Sequence, residues 1–209
     1  MTRHPIIAVD GPAASGKGTL AARLAAELGV PHLDTGLLYR AVARRLADAG
    51  TETEDAAIQA ACALTPADLA RTDLRTPDMD SLTSRVSAWP GLRAALLDRQ
   101  RDFARATGAV IDGRDIGTVV FPDADAKLFV TASSGERARR RLLQRRVEIT
   151  QAALAAERAA IEARDAADEA RAAAPLREAP DADRIDTTAL DAEQAFTQAL
   201  ALVRARLGV

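Results

Sequence analysis

The sequence predicts an α/β chain built on a parallel sheet, and three observations carry that reading. A short β-branched run, Ile6–Asp10, passes through a glycine-rich loop into a helical pattern. A second short strand, Pro31–Asp34, runs through Thr35-Gly36 into another helix. Three more apolar runs, Ala109–Asp112, Ala126–Thr131 and Arg184–Thr187, each lead into a loop or a helical pattern. Strands alternating with helices are the signature of a parallel sheet. Five parallel strands with helices on both faces are therefore expected.

The helices follow from spacing. Leu20, Leu24, Ala25 and Leu28 recur at helical intervals from Lys17 onward, and Gly29 ends the run. The helix after Asp34 reaches about Ala49, and the last helix spans Asp191–Leu207. Residues 53–106 read as mostly helical, interrupted at Pro66, Pro77 and Pro90, with no strong strand signal. Trp89 falls at helical spacing with Val86 and Leu92 and is read as core. Residues 134–171 hold a dense arginine cluster and then an Ala/Glu/Arg/Asp helix whose charges alternate in sign. The expected organisation is a single domain. Its core takes about 1–50, 107–133 and 172–209, a helical excursion takes about 51–106, and a helical lid takes about 134–171. Such outgrowths commonly cover a ligand.

Composition narrows the function classes. The 209 residues carry a net charge of −2, which argues against a general binder of nucleic acid or acidic membrane. Four Phe, Trp89 and Tyr39 are too few to form stacking platforms for single strands. A lone Cys62 excludes a disulfide framework, and with only His4 and His32 it leaves no zinc site. No apolar run is long enough to span a bilayer, and no signal-peptide pattern precedes the first strand, so a cytoplasmic setting is expected. All but Lys17 and Lys127 of the 28 basic residues are arginine.

The strongest motif is Gly11-Pro12-Ala13-Ala14-Ser15-Gly16-Lys17-Gly18-Thr19, placed directly after a strand and directly before a helix. Glycines let the backbone wrap so that successive N–H groups face a nucleotide's phosphates, and the helix N-terminus adds its positive end. Lys17 adds a mobile charge for the β- and γ-phosphates. Gly18 stands where a Ser or Thr usually ligates magnesium, so the metal ligands are not readable; Asp34 and Asp112 are candidates for holding the ion's waters.

Two further loops, Asp34-Thr35-Gly36-Leu37-Leu38-Tyr39-Arg40 and Asp112-Gly113-Arg114-Asp115-Ile116-Gly117, follow strands, and ligands gather beyond the carboxyl ends of parallel strands. On one helix, Arg164, Asp168 and Arg171 fall within about 60° of each other. Alone, that stripe reads as a salt-bridged helix face. The six arginines between Glu136 and Glu148 likewise fit a solvated face or a small RNA-binding patch as well as a lid.

Taken together, the cradle, DTGLLYR, SRVSAWPGLR, RQR, DGRDIGTVVFPDAD, SSGERARRR, RDAADEARAAAPL and IDTT resemble the bacterial cytidylate kinases. That resemblance implies a P-loop three-layer fold and transfer of a phosphoryl group from ATP, with Mg2+, to CMP or dCMP. It implies that Arg40, Arg114 and Arg171 grip the CMP phosphate, with Lys17, Arg114 and Arg171 near the transferred group. Arg139, Arg140 and Arg141 would belong to a lid over ATP. Arg164 and Asp168, aided by Ser84, would meet the ribose. Arg93, Asp115 and Thr35 would read cytosine, with Asp34, Gly36, Tyr39, Asp112 and Gly113 lining the same site. A monomer is expected, without nucleic-acid or membrane partners. The excursion between Leu46 and Thr76 leaves no room for the strand-rich insertion often seen in this family.

The alternatives are a kinase for another nucleoside monophosphate, UMP or AMP, or for a small metabolite, and a non-catalytic P-loop nucleotide-binding module. The Asp-Gly-Phe-Pro-Arg motif of adenylate kinases is absent, and a guanine-reading Asn-Lys-x-Asp is impossible in a chain without Asn.

Overall fold

A computed structural model describes residues 4–105 and 107–209. Its centre is one sheet of five parallel strands: β1 (Ile6–Asp10), β2 (His32–Asp34), β3 (Ala109–Gly113), β4 (Ala126–Thr131) and β5 (Asp183–Asp186). The order across the sheet is β2-β3-β1-β4-β5. Asp10 pairs in register with Gly113 on one side and Phe129 on the other, so β1 and β3 end together while β4 and β5 run on to the Thr131–Asp186 pair.

β1 is buried on both faces. Ile7 and Val9 pack with Leu20, Leu24, Leu128, Ile185 and Val203 against helices α1 (Lys17–Leu28) and α9, the last helix (Ala192–Leu207). Ala8, alternating to the other face, packs with Ile111, Ile116 and Val120. This is the near-continuous apolar run of a central parallel strand.

The excursion is helical, as the spacing predicts: α2 (Thr35–Asp48) leads to α3 (Glu54–Cys62), α4 (Pro66–Leu69), α5 (Pro77–Val86) and α6 (Pro90–Arg105). The three prolines open helices, because proline's missing N–H costs nothing at the first helical position. This unit has its own core. Leu38, Val42 and Leu46 of α2 pack with Met79, Leu82, Val86, Leu92 and Leu96, and Trp89 lies against them half-buried. The segment expected to be a lid forms α7 (Ser134–Gln144) and α8 (Gln151–Glu169).

Four elements differ at an end from the sequence reading, and β3 does so by running one residue further, to Gly113. β2 starts at His32, since Pro31 has no N–H to pair and offers only its carbonyl, 2.9 Å from the Val110 N–H. β5 spans Asp183–Asp186. Thr187 still donates its N–H to the Thr131 carbonyl, but its hydroxyl turns to the Ser15 carbonyl. Asp191 is the N-cap of α9, accepting from the Glu193 and Gln194 N–H groups. Among the described residues no helix is long and apolar enough to cross a membrane.

Gly11 carries the tightest backbone approach. Its φ is +151°, and a Cβ there would sit 2.0 Å from the Val130 carbonyl oxygen, inside the sheet. Gly11→Ala must strain the turn or push β4 away, and is expected to cost about 3 kcal/mol or more. Urea unfolding checks this; an unchanged midpoint would show that the turn adapts freely.

Candidate active site

The cradle runs from the end of β1 to the start of α1. Helices α2, α3, α5, α7, α8 and α9 each begin on a side-chain cap, whereas α1 begins on Gly16, in the left-handed region, with none. Its first-turn amides are thus left for an external anion. Ser15 Oγ is buried without a hydrogen-bond partner among the described residues. Lys17 is buried and reaches only the Pro12 carbonyl, at 3.4 Å. Burial, with Arg114 nearby, pushes its pKa down to about 7.

The loop after β3 faces this cradle and is tied to it. Asp10, the last residue of β1, accepts from the N–H groups of Ile116 (2.8 Å) and Gly117 (2.7 Å). Burial raises the Asp10 pKa to about 7, against the pull of those two amides. The pinned segment, Ile116–Val120, forms a single π-helical turn. Thr35 Oγ1 donates to the Asp112 carbonyl at 2.8 Å, joining α2 to the same loop. A Cβ on Gly113 would meet Thr35 Oγ1 at 2.8 Å, so this contact needs glycine.

Arg93 donates to Asp115 Oδ2 (2.5 Å) and to the Ser87 carbonyl (3.2 Å), and its guanidinium lies 5.5 Å from the Tyr39 ring centre. Arg93, Asp115 and Tyr39, with Leu97, Gln100 and Val119, line a cavity of about 160 Å³. Burial lifts the Tyr39 hydroxyl to a pKa of about 12, so it stays protonated.

Beside the cavity lies Asp168, fully buried. Its Oδ2 accepts from Arg114 Nε at 2.9 Å and its Oδ1 from Arg171. Burial alone would raise this carboxyl; Arg114 and Arg171 outweigh it and hold the pKa below the ordinary value. Arg171 lies two residues past the end of α8, but its Nη2 also donates to Ser87 Oγ at 2.9 Å. Arg164 and Arg40 meet at a different carboxylate, Asp80 of α5.

The structure therefore gathers most of the expected residues at one cleft and redistributes a few. Arg140 reaches the cradle, donating to the Thr187 carbonyl (2.6 Å) and hydroxyl (2.9 Å) and to the Ser15 carbonyl (3.4 Å). Arg139 is exposed on Glu136, and Arg141 turns to Asp80 and Glu157. Asp34 caps α2 through the Leu37 N–H and pairs with Arg75. Gly36 follows in the first turn of α2, where a Cβ would meet Asp34 Oδ1 at 3.0 Å. Ser84 contributes its carbonyl to the Ser87 hydroxyl, and it is Ser87 that meets Arg171. Thr19 is exposed on α1. Asp112 is buried, 2.8 Å from His32 Nε2, and its Oδ2 is 3.7 Å from where a Gly18 Cβ would stand.

Sequence reasoning missed four residues: Asp10, Asp80, Ser87 and Arg137. Arg137 is buried between the Ala132 carbonyl (2.9 Å), the cradle's Ala13 carbonyl (3.2 Å) and Asp165 (2.6 Å). Asp10 adjoins the cradle's first glycine, and Ser87 and Arg137 lie inside SRVSAWPGLR and SSGERARRR, so only Asp80 carried no local signal.

The cytidylate kinase family model matches residues 7–205. This chain belongs to the cytidylate kinase family. Among its curated relatives, the cytidylate kinase of Granulibacter bethesdensis is 58% identical over 205 residues, covering 95% of this chain and 96% of that protein. That of Acidiphilium cryptum is 57% identical over 205 residues, covering 97% of each. A solved gluconokinase from Sinorhizobium meliloti shares the fold, with a TM-score of 0.52 at 18% identity over 99% of this chain and 95% of that one.

A phosphate beside Lys17 raises its pKa from about 7. At pH 8 the amine is mostly neutral before binding and charged after it, so binding of a nucleoside triphosphate takes up about one proton. At pH 6 Lys17 is charged throughout and contributes no uptake. Calorimetry in buffers of different ionisation enthalpy measures this; no uptake at pH 8 would place Lys17 away from the phosphates.

Proposed function

We propose that this chain transfers the γ-phosphoryl group of ATP to CMP or dCMP, giving ADP and CDP or dCDP. The observation that carries the reading is one of placement. A cavity of base size, bearing Arg93 and Asp115, adjoins two arginines held on Asp168, and Asp10 pins this loop to the strand that ends in the phosphate cradle. The family match supports the same activity.

A phosphate oxygen of CMP is the nucleophile. The second pKa of a phosphate monoester is about 6, so the acceptor is already an anion at pH 7 and needs no general base. It attacks the γ-phosphorus as the bond to the β–γ bridging oxygen breaks, and that electron pair leaves with ADP. The residues' task is to bring two polyanions together and to stabilise charge on the group in transit. Arg40, Arg114 and Arg171 hold the acceptor phosphate, while Lys17 and the amides that open α1 hold the donor. Arg140 and Arg137 connect the lid to the cradle, so lid closure excludes water that would compete as acceptor. Arg164 and Asp168, with Ser84, face the ribose in this reading.

Magnesium enters with ATP. Among the described residues no three metal-ligating side chains cluster. Asp112, beside Gly18, is placed to hold one of those waters. When bound, the ion neutralises charge on the β- and γ-phosphates. We read the chain as a single-domain cytoplasmic monomer, with the excursion and lid at the boundaries given above.

Cytosine is chosen by hydrogen-bond polarity. Thr35 spends its proton on the Asp112 carbonyl, which leaves lone pairs to accept the cytosine amine. Arg93 donates to N3 or O2, and Asp115, whose carboxylate oxygens accept, offers no donor to the uracil carbonyl.

Two assays test this. ADP formation from MgATP is measured with CMP, dCMP, UMP, AMP, GMP and shikimate; CMP and dCMP are expected to dominate, and CMP at background would overturn the assignment. Asp115→Asn adds an amide donor, so the CMP-to-UMP ratio of kcat/KM is expected to fall about tenfold or more. Equal losses on both substrates would reduce Asp115 to a positioning partner of Arg93.

A further inference from the structure

Asp80, on α5, belongs to none of the motifs that define the site, yet four arginines converge on it. Arg40 of α2 and Arg164 of α8 meet its Oδ1, the latter at 3.4 Å. Arg141 of α7 and Arg145, which caps α7, meet its Oδ2, the latter at 2.5 Å. All five side chains are mostly buried, Asp80 itself being 13% exposed. Glu157 of α8 adds a second carboxylate, shared by Arg141 (3.3 Å) and Arg145 (2.8 Å).

The cluster is not charge-balanced. Four guanidinium groups face two carboxylates, a surplus of two positive charges, and a phosphate monoester at pH 7 carries about −1.5 to −2. Arg164 Nε is buried without an acceptor, so the cluster also has a donor to spare. Burial would raise the Asp80 pKa, but Arg40 and Arg141 hold it at about 2, and the carboxylate stays ionised at any working pH. Asp80, encircled by four guanidinium groups, has the charge environment of a bound phosphate.

We propose that Asp80 is an internal counterpart of the acceptor phosphate: it competes with the 5′-phosphate of the substrate for Arg40. This rests on the acceptor reading of Arg40 given above. An arginine that turns toward the incoming phosphate loosens its hold on Asp80, and a dianion drawn to Arg40 meets the carboxylate's like charge. Asp80 therefore weakens acceptor binding through the phosphate alone. Because its other oxygen holds Arg141 and Arg145, the same exchange is felt by the lid, which Asp80 ties to the excursion.

The test is calorimetric binding of CMP and of cytidine, which lacks the phosphate, to the wild-type protein, Asp80→Asn and Asp80→Ala, with thermal melts as a check on folding. Both variants are expected to bind CMP about tenfold more tightly, the scale of one like charge removed from a partly screened site, with cytidine unchanged. Weaker or unchanged CMP binding would overturn the proposal and make Asp80 a residue that positions the arginines. Parallel shifts for CMP and cytidine would overturn it in favour of a general structural role, as would failure of both variants to fold. The activity reading fails separately: if the wild-type protein prefers UMP or AMP to CMP, the same comparison made with that nucleotide and its nucleoside still decides the role of Asp80.

Discussion

The constraint on which this structure depends is the crowding of positive charge around one cleft. Arg114 and Arg171 share a single carboxylate, so their guanidinium groups are close neighbours. Two unit charges about 5 Å apart at an effective dielectric near 20 repel by about 3 kcal/mol. Asp168, fully buried between them, turns that repulsion into two charge-assisted hydrogen bonds and fixes both side chains in place. The pattern recurs: Asp115 holds Arg93 and Asp165 holds Arg137. Removing one partner of such a buried pair typically costs about 3–5 kcal/mol, because the other charge is left alone. These carboxylates are thus conditions for having the arginines at all.

Sheet order decides where the held charges lie. With β1 between β3 and β4, the cradle that follows β1 and the loop that follows β3 emerge side by side. Asp10 closes the gap by taking two N–H groups of that loop onto the last residue of β1. Lys17 and Arg114 are consequently close enough that the arginine helps to depress the lysine's pKa. In the proposed reading, donor and acceptor phosphates bound at these two cations would be brought together by the register of the strands, with the entropy of alignment met in folding.

Much of this was legible in the sequence because the relevant residues are contiguous. The cradle is nine residues in a row, and strand, loop and helix surround it as its chemistry requires. Asp168 and Arg171 are three residues apart and still meet, although Arg171 has left the helix. The illegible residues act across long separations. Asp80 finds partners 40, 61, 65 and 84 positions away, and nothing in Pro77–Val86 distinguishes it from an exposed helix carboxylate. Ser84 and Ser87 lie one helical turn apart, and only the path of the chain after α8 brings Arg171 to the second. In the arginine cluster, helical phase sends Arg137 and Arg140 toward the cradle, Arg141 toward the excursion and Arg139 to solvent. Composition cannot separate those four.

If carboxylates act mainly by holding arginines, Asp168 and Arg114 must function as a unit. The most direct measurement is a double-mutant cycle on kcat/KM for CMP with Arg114→Ala, Asp168→Ala and the combined variant. The account predicts strong coupling, about 2 kcal/mol or more, with the double variant little worse than the poorer single one. Losses that add to within about 0.5 kcal/mol would contradict it, showing that the two side chains contribute independently.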